Sequence, residues 1–134
     1  MSETNLNDSI YIEEQWHPLF KQFTDTTDVY AAPFRTMKDM FMWSASIGFQ
    51  RGDRKPLTGK KIGIFRWAQF SPQVDVPLLK ALAIADTGDV AVLQDSEKVL
   101  VVVQEYANAG ICELQQTLLE EYGQPLQNLI KLLS

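Results

Sequence analysis

Apolar residues recur along this chain mostly at three- and four-residue steps, the period of a helix with one buried face. Tyr11, Trp16, Leu19, Phe20 and Phe23 set the first such series and predict a helix over Ile12 to Phe23. Pro18 conflicts with that span unless the helix starts near Trp16 and His17, where a proline fits the first turn. Thr24 to Thr27 is a polar connector. Thr36 then reads as an N-cap with Asp39 three residues on, the position of a capping box. Met37, Met40, Phe41, Ser44, Ala45 and Ile47 or Gly48 form the stripe of a second helix ending near Phe49, with Gly52 just beyond.

Arg51 to Gly59 holds Gly52, Pro56 and Gly59 and reads as a loop. Ile62, Ile64 and Phe65 suggest a short strand, weakened by Gly63. Ser71, Pro72 and Asp75 mark another helix start. Leu78, Leu79, Leu82 and Ala85 follow as its apolar stripe, and Gly88 is its C-terminal cap. Val90 to Leu93 fits either a helical turn or a strand. Ser96 begins the clearest element, in which Val99, Val102, Val103, Tyr106, Ala109 or Gly110, Leu114 and Leu118 share one face. Val99 to Val103 alone favours a strand, but the period continues to Leu118 and decides for helix. Gly110, inside it, marks a kink or a close packing point. Gly123 and Pro125 end that helix, and Leu126, Leu129, Ile130 and Leu133 make a short last one.

The pattern predicts a mainly α fold: one compact domain of about five helices over residues 10–134, with a minor strand or hairpin at Ile62 to Phe65. Residues 1–9 offer nothing to bury and are expected to form a flexible tail. At 134 residues the chain is the size of one domain and needs no metal or disulfide staple. Cys112 is the only cysteine, so no disulfide forms within the chain. Met1 to Asn7 lacks the pattern of a signal peptide, and the longest apolar run, Val99 to Val103, is too short to span a bilayer. A cytoplasmic location is expected.

Few residues suggest reaction chemistry. His17 is the sole histidine, without a second His or a Cys to complete a metal cluster, and reads as structural or surface. Cys112 reads as a buried inert thiol. Gly59-Lys60-Lys61 lacks the earlier glycine and the following Ser or Thr of a phosphate loop, and Gly48 and Gly52 make no dinucleotide fingerprint. Asp95, Glu97 and Lys98 have the wrong spacing for a nuclease cluster; Asp95 and Ser96 fit a helix start better. No cofactor, metal site or catalytic residue is expected, and the chain is read as a non-enzyme.

Charge changes the picture. The net charge is −5, but Arg35 to Arg66 holds eight basic and two acidic residues, a balance of +6, against four basic and fifteen acidic elsewhere, −11. Arg51, Arg54, Lys55, Lys60, Lys61 and Arg66 surround the Gly/Pro-rich loop, with Phe49, Phe65 and Trp67 interleaved. The set fits a solvated loop with core aromatics, a surface for an acidic protein partner, or a nucleic-acid site in which cations meet phosphates and aromatics stack on bases. Met42 and Trp43 carry the second helix's apolar surface beyond its main stripe, so that helix is expected either at the domain centre or covered by a second copy, as in a homodimer.

Phe34-Arg35-Thr36-Met37-Lys38-Asp39-Met40-Phe41-Met42, together with Ile47-Gly48-Phe49, Arg54-Lys55-Pro56-Leu57, Gly63-Ile64-Phe65 and Glu105-Tyr106-Ala107-Asn108-Ala109-Gly110-Ile111, resembles the Dnd system-associated protein 4 family. The likeness runs from about Tyr30 to Leu133. It implies a setting in bacterial DNA phosphorothioation and its linked restriction genes, that is, defence against foreign DNA. It carries over no catalytic residue. Ala109 stands where a second glycine is expected, which puts a tight backbone approach there in doubt.

The expected function is a non-enzymatic accessory protein of such a system that docks onto larger partner proteins of the same system. The alternatives are a DNA-binding module using the basic loop 51–66, with Arg51, Arg54, Lys55, Lys60, Lys61, Arg66 and Trp67 as binding residues, and a nuclease subunit completed by another chain.

Overall fold

The computed structural model describes residues 8–24, 27–120 and 123–132. Most of the expected tail and part of the 24–27 connector lie outside them, although Ser9 already belongs to a strand. The elements are β1 (Ser9–Glu13), α1 (His17–Phe23), α2 (Met37–Arg51), β2 (Lys61–Arg66), α3 (Asp75–Thr87), α4 (Ser96–Gln115) and α5 (Pro125–Leu132). Short 3-10 turns join several of them, and α4 runs on into a π-helical turn at Gln116–Glu120. The fold is mainly α, as the pattern predicts.

Helices α2 and α4 form the centre. Their backbones touch. A Cβ on Gly110 would overlap the carbonyl oxygen of Ser44, and one on Gly48 would overlap that of Tyr106. The two approach points run in opposite senses along the chain, so the helices cross antiparallel. Gly110 is thus the close packing point that its position in the helix suggests. Ser44 has no room for a larger group either; it is fully buried and its hydroxyl donates to Met40 O at 2.9 Å.

Caps set the ends of α2. Thr36 accepts the Asp39 amide at 3.2 Å, and Gly52 closes the helix in the left-handed region at φ 67°, which costs glycine nothing. Met42 and Trp43 pack half-buried against the core, with Trp43 tilted on Phe34. The all-round apolar character of α2 is answered inside the domain: α4, α1 and the ribbon cover it.

One expectation fails at the N-terminal end, the helix from Ile12, and its alternative, a start near Trp16 and His17, holds. Ile12 is not helical; Ser9–Glu13 is a strand, and the helix starts only at His17 with Pro18 in its first turn. Alternation places Ile10 and Ile12 inside and Tyr11 outside. β1 pairs antiparallel with β2, which is therefore half of a two-stranded ribbon, with a bulge at Ile10/Tyr11. The ribbon's inner face seats Phe65 against Phe41 and Phe70. Val90–Gln94, ambiguous in sequence, is a 3-10 helix capped by Asp89.

Candidate functional site

The basic segment does not form one patch. Arg51 Nε donates to Glu113 Oε2 at 2.8 Å. Arg54 binds Glu105 at 2.8 Å and Asp86 at 2.5 Å through Nε and Nη1. Trp67 is 4% and Phe65 8% exposed, so neither can stack on a base. Trp67 sits edge-on to Phe70 within the core, not on a surface that could bind a partner. Lys55, Lys60 and Lys61 have no carboxylate within ion-pair distance among the described residues, but they line three separate depressions. Lys55 joins Arg51, Asp53 and Glu113. Lys60 lies by Glu13, Glu14 and Gln15. Lys61 lies by Tyr11, Leu57 and Val101. Arg66 is exposed at the far end of β2, opposite Ser9.

The arginine-bearing loop is a fastened segment of the structure. Asn108, on the inner side of α4, directs its Nδ2 to the carbonyls of Lys55 and Pro56 at 3.2 Å each, and to Glu13 Oε2 at 3.1 Å. Glu13 Oε2 also accepts the Thr58 amide at 2.8 Å and hydroxyl at 3.3 Å, while Oε1 accepts Gln15 Nε2 at 2.5 Å. The Lys55 amide donates to Glu105 O at 3.1 Å. Residues from three stretches that carry the family resemblance, 54–57, 105–111 and 47–49, therefore meet at the α2–α4 crossing. Burial alone pushes the Glu13 carboxyl up. The hydrogen bonds from the Thr58 amide, Gln15, Asn108 and the Thr58 hydroxyl outweigh it and hold the group below its ordinary value.

Tyr106 joins this cluster by donating its hydroxyl to Asp86 Oδ1 at 2.7 Å. Its phenol is pushed up to about 12, first by burial, then by that hydrogen bond and the Asp86 charge, with Arg54 opposing. One tyrosine is therefore expected to ionise late in an ultraviolet alkaline titration. Stability is fully present below pH 10.0, the unperturbed tyrosine value, and falls as pH rises from there through about 12. A Tyr106→Phe protein should lose the late phase; its persistence would assign the shift elsewhere.

Asp95 accepts the Lys98 amide at 3.1 Å and caps α4. Among the described residues, no group of three His, Cys, Asp or Glu is placed to hold a metal ion. Cys112 is half-buried rather than buried, its thiol 3.9 Å from Asn108 O. His17 is half-buried at the start of α1.

A surface on α3 escaped the sequence reading. Leu78 and Ala85, expected in its buried stripe, point outward; Leu79, Leu82 and Ala83 point inward. Val74, Pro77, Leu78, Ala81 and Ala85 are all exposed and recur at three- and four-residue steps. At 3.6 residues per turn they fall within about 100° of arc. No charged residue interrupts them. Val74 and Leu78 are 67% and 50% exposed, so the stripe is an uncovered apolar face on a helix already apolar inside. The signal in the sequence was the near-absence of polar residues from Val76 to Ala85, where Lys80 stands alone.

The fold and these features define a small, mainly helical protein built on one close helix crossing, with an uncovered apolar helix face and a fastened basic loop. It belongs to the DNA sulphur modification system-associated protein 4 family, whose model matches residues 10–134. The match takes in β1 and α1 as well as the stretch from Tyr30 onward. No curated protein and no solved structure matches the chain. No described helix is long and apolar enough to cross a membrane.

Proposed function

We propose that this chain is an accessory docking protein of its DNA sulphur modification system, binding larger proteins of that system rather than acting as an enzyme or a DNA-binding module. The outer face of α3 carries the reading. Val74, Pro77, Leu78, Ala81 and Ala85 form a solvent-facing stripe with no charge in it, where an isolated soluble helix carries its polar residues. A DNA phosphate backbone gains nothing from such a face; a partner helix or sheet does. The carboxylates that engage Arg51 and Arg54 and the burial of Trp67 weigh the same way, since they offset two cations and take an aromatic from the surface a nucleic acid would use.

Leu78→Asp is expected to leave the fold intact, because the side chain is half-exposed and makes no hydrogen bond, and to abolish co-purification with the other proteins of the system expressed alongside it. A charge buried without a partner at the centre of an interface costs several kcal/mol. Recovery of no partner by the unaltered protein at any salt concentration would overturn the reading.

A further inference from the structure

The β1–β2 ribbon has one covered edge and one open edge. Glu14 N–H donates to Lys60 O at 2.8 Å, and the register pairs Ile12 with Ile62, Glu13 with Lys61 and Tyr11 with Gly63. Antiparallel pairs alternate between those that exchange hydrogen bonds and those whose backbone groups turn away from each other. Counting from Glu14 and Lys60, the pairs Glu13/Lys61 and Tyr11/Gly63 are of the second kind. On β1 the outward group is visibly taken: the Tyr11 amide donates to Gln104 Oε1 of α4 at 2.8 Å. On β2 the matching N–H and C=O groups of Lys61 and Gly63 turn the other way. Among the described residues nothing bonds to them, and both residues are exposed.

This edge has a chemical preference. Lys60 and Lys61 stand at its start without an ion-pair partner among the described residues. Glu13, across from Lys61, is 5% exposed and has both carboxylate oxygens engaged by Thr58, Asn108 and Gln15. Gly63 adds no side chain, and the Tyr11 ring lies across it, its Cε1 3.6 Å from where a Gly63 Cβ would stand. Leu57 and Val101 flank Tyr11 and Lys61 on the same surface. A lysine in an edge strand repels a basic strand and protects against indiscriminate pairing; the same charge favours an acidic one.

We infer that the open edge of β2, at Lys61 to Gly63, receives an extended acidic segment of a partner protein as an added strand. The segment's backbone pairs with the N–H and C=O groups of Lys61 and Gly63. A carboxylate meets Lys61 or Lys60, and an apolar side chain opposite Gly63 packs on the Tyr11 ring. Main-chain bonds give affinity and the side chains give selection, the division found wherever strands are added to sheet edges. The inference rests on the docking reading and names a second contact, away from α3, with the chemistry of its occupant.

Amide hydrogen exchange on the full chain tests it, with a short synthetic peptide of repeating Thr-Glu-Thr-Val as the probe, in which a glutamate and a valine two residues apart share one face of the extended strand. The Lys61 and Gly63 amides are expected to gain protection with this peptide, and not with the same peptide carrying lysine for glutamate. Lys61→Glu is expected to weaken binding at least about tenfold. Lys61→Pro, which removes an outward N–H at an edge position where proline is tolerated, is expected to abolish it with the urea midpoint close to that of the unaltered protein. No protection at Lys61 and Gly63, equal binding of the lysine peptide, or protection of the same amides by duplex DNA instead would each overturn the inference. If the system's proteins still co-purify fully with Lys61→Pro but not with Leu78→Asp, the edge is not a contact and the docking reading stands; if the unaltered protein recovers none, the docking reading itself fails.

Discussion

Gly110→Ala is expected to destabilise the protein by at least about 3 kcal/mol, the upper range for forcing an extra group into a packed interior. The added methyl would overlap the carbonyl oxygen of Ser44, and its next contacts would be the Ser44 carbonyl carbon at 2.7 Å and the Gly48 amide nitrogen at 2.9 Å. All three are backbone atoms of α2, so no side chain can swing aside. Relief requires the two central helices to move apart, and their separation sets the fit of Val103, Tyr106, Ile111 and Leu114 against the rest of the core. The check is urea unfolding of both proteins, with a large fall in midpoint and an unchanged slope. Gly88→Ala is the matched control: its φ is 71° and a methyl there meets open space, so the cost is that of the left-handed backbone alone, about 1–2 kcal/mol. Equal costs for the two variants would mean that the crossing is looser than described.

Elements whose signals are local were legible in the sequence. The Thr36 cap, the Gly52 and Gly88 terminators and the long stripe of α4 each reside in a short window, and each stands where the pattern puts it. β1 was hidden because its partner lies some fifty residues further on. Ile10 and Ile12 alternate for too short a run to compete with the helical spacing of Trp16, Leu19, Phe20 and Phe23. The basic surplus of residues 35–66 is real in sequence but is partly answered at a distance: Asp86, Glu105 and Glu113, which hold Arg54 and Arg51, come from α3 and α4. For α3 the difficulty was of another kind. A window apolar on every side contains no periodicity that says which half faces inward, so Leu78 and Leu79 could not be told apart until α4 was in place.

The same long-range pairing that hid β1 makes Glu13 the residue whose loss should be felt next most. It is a carboxylate at 5% exposure, held by four hydrogen bonds from Thr58, Gln15 and Asn108 and by no cation within ion-pair distance among the described residues. Glu13→Ala would leave the Thr58 amide without its acceptor, take one of the three acceptors from Asn108 Nδ2, and release the loop that carries Arg54 and Lys55. Losing buried bonds to a charged group costs about 1.5–3 kcal/mol for each partner stranded, so a loss of about 2–4 kcal/mol is expected for the site as a whole. The sign of the pH dependence follows from the lowered carboxyl. Because the folded group titrates below the ordinary 4.5, the unfolded chain binds the proton first as pH falls. Glu13's contribution is therefore complete above pH 4.5 and is lost as pH drops from there through the folded value. Urea midpoints measured from neutral pH downward should show this decline in the unaltered protein and a shallower one in Glu13→Gln, which retains the shape and gives up the titration. Parallel declines in the two proteins would place the acid sensitivity at other carboxylates and reduce Glu13 to a neutral hydrogen-bond acceptor.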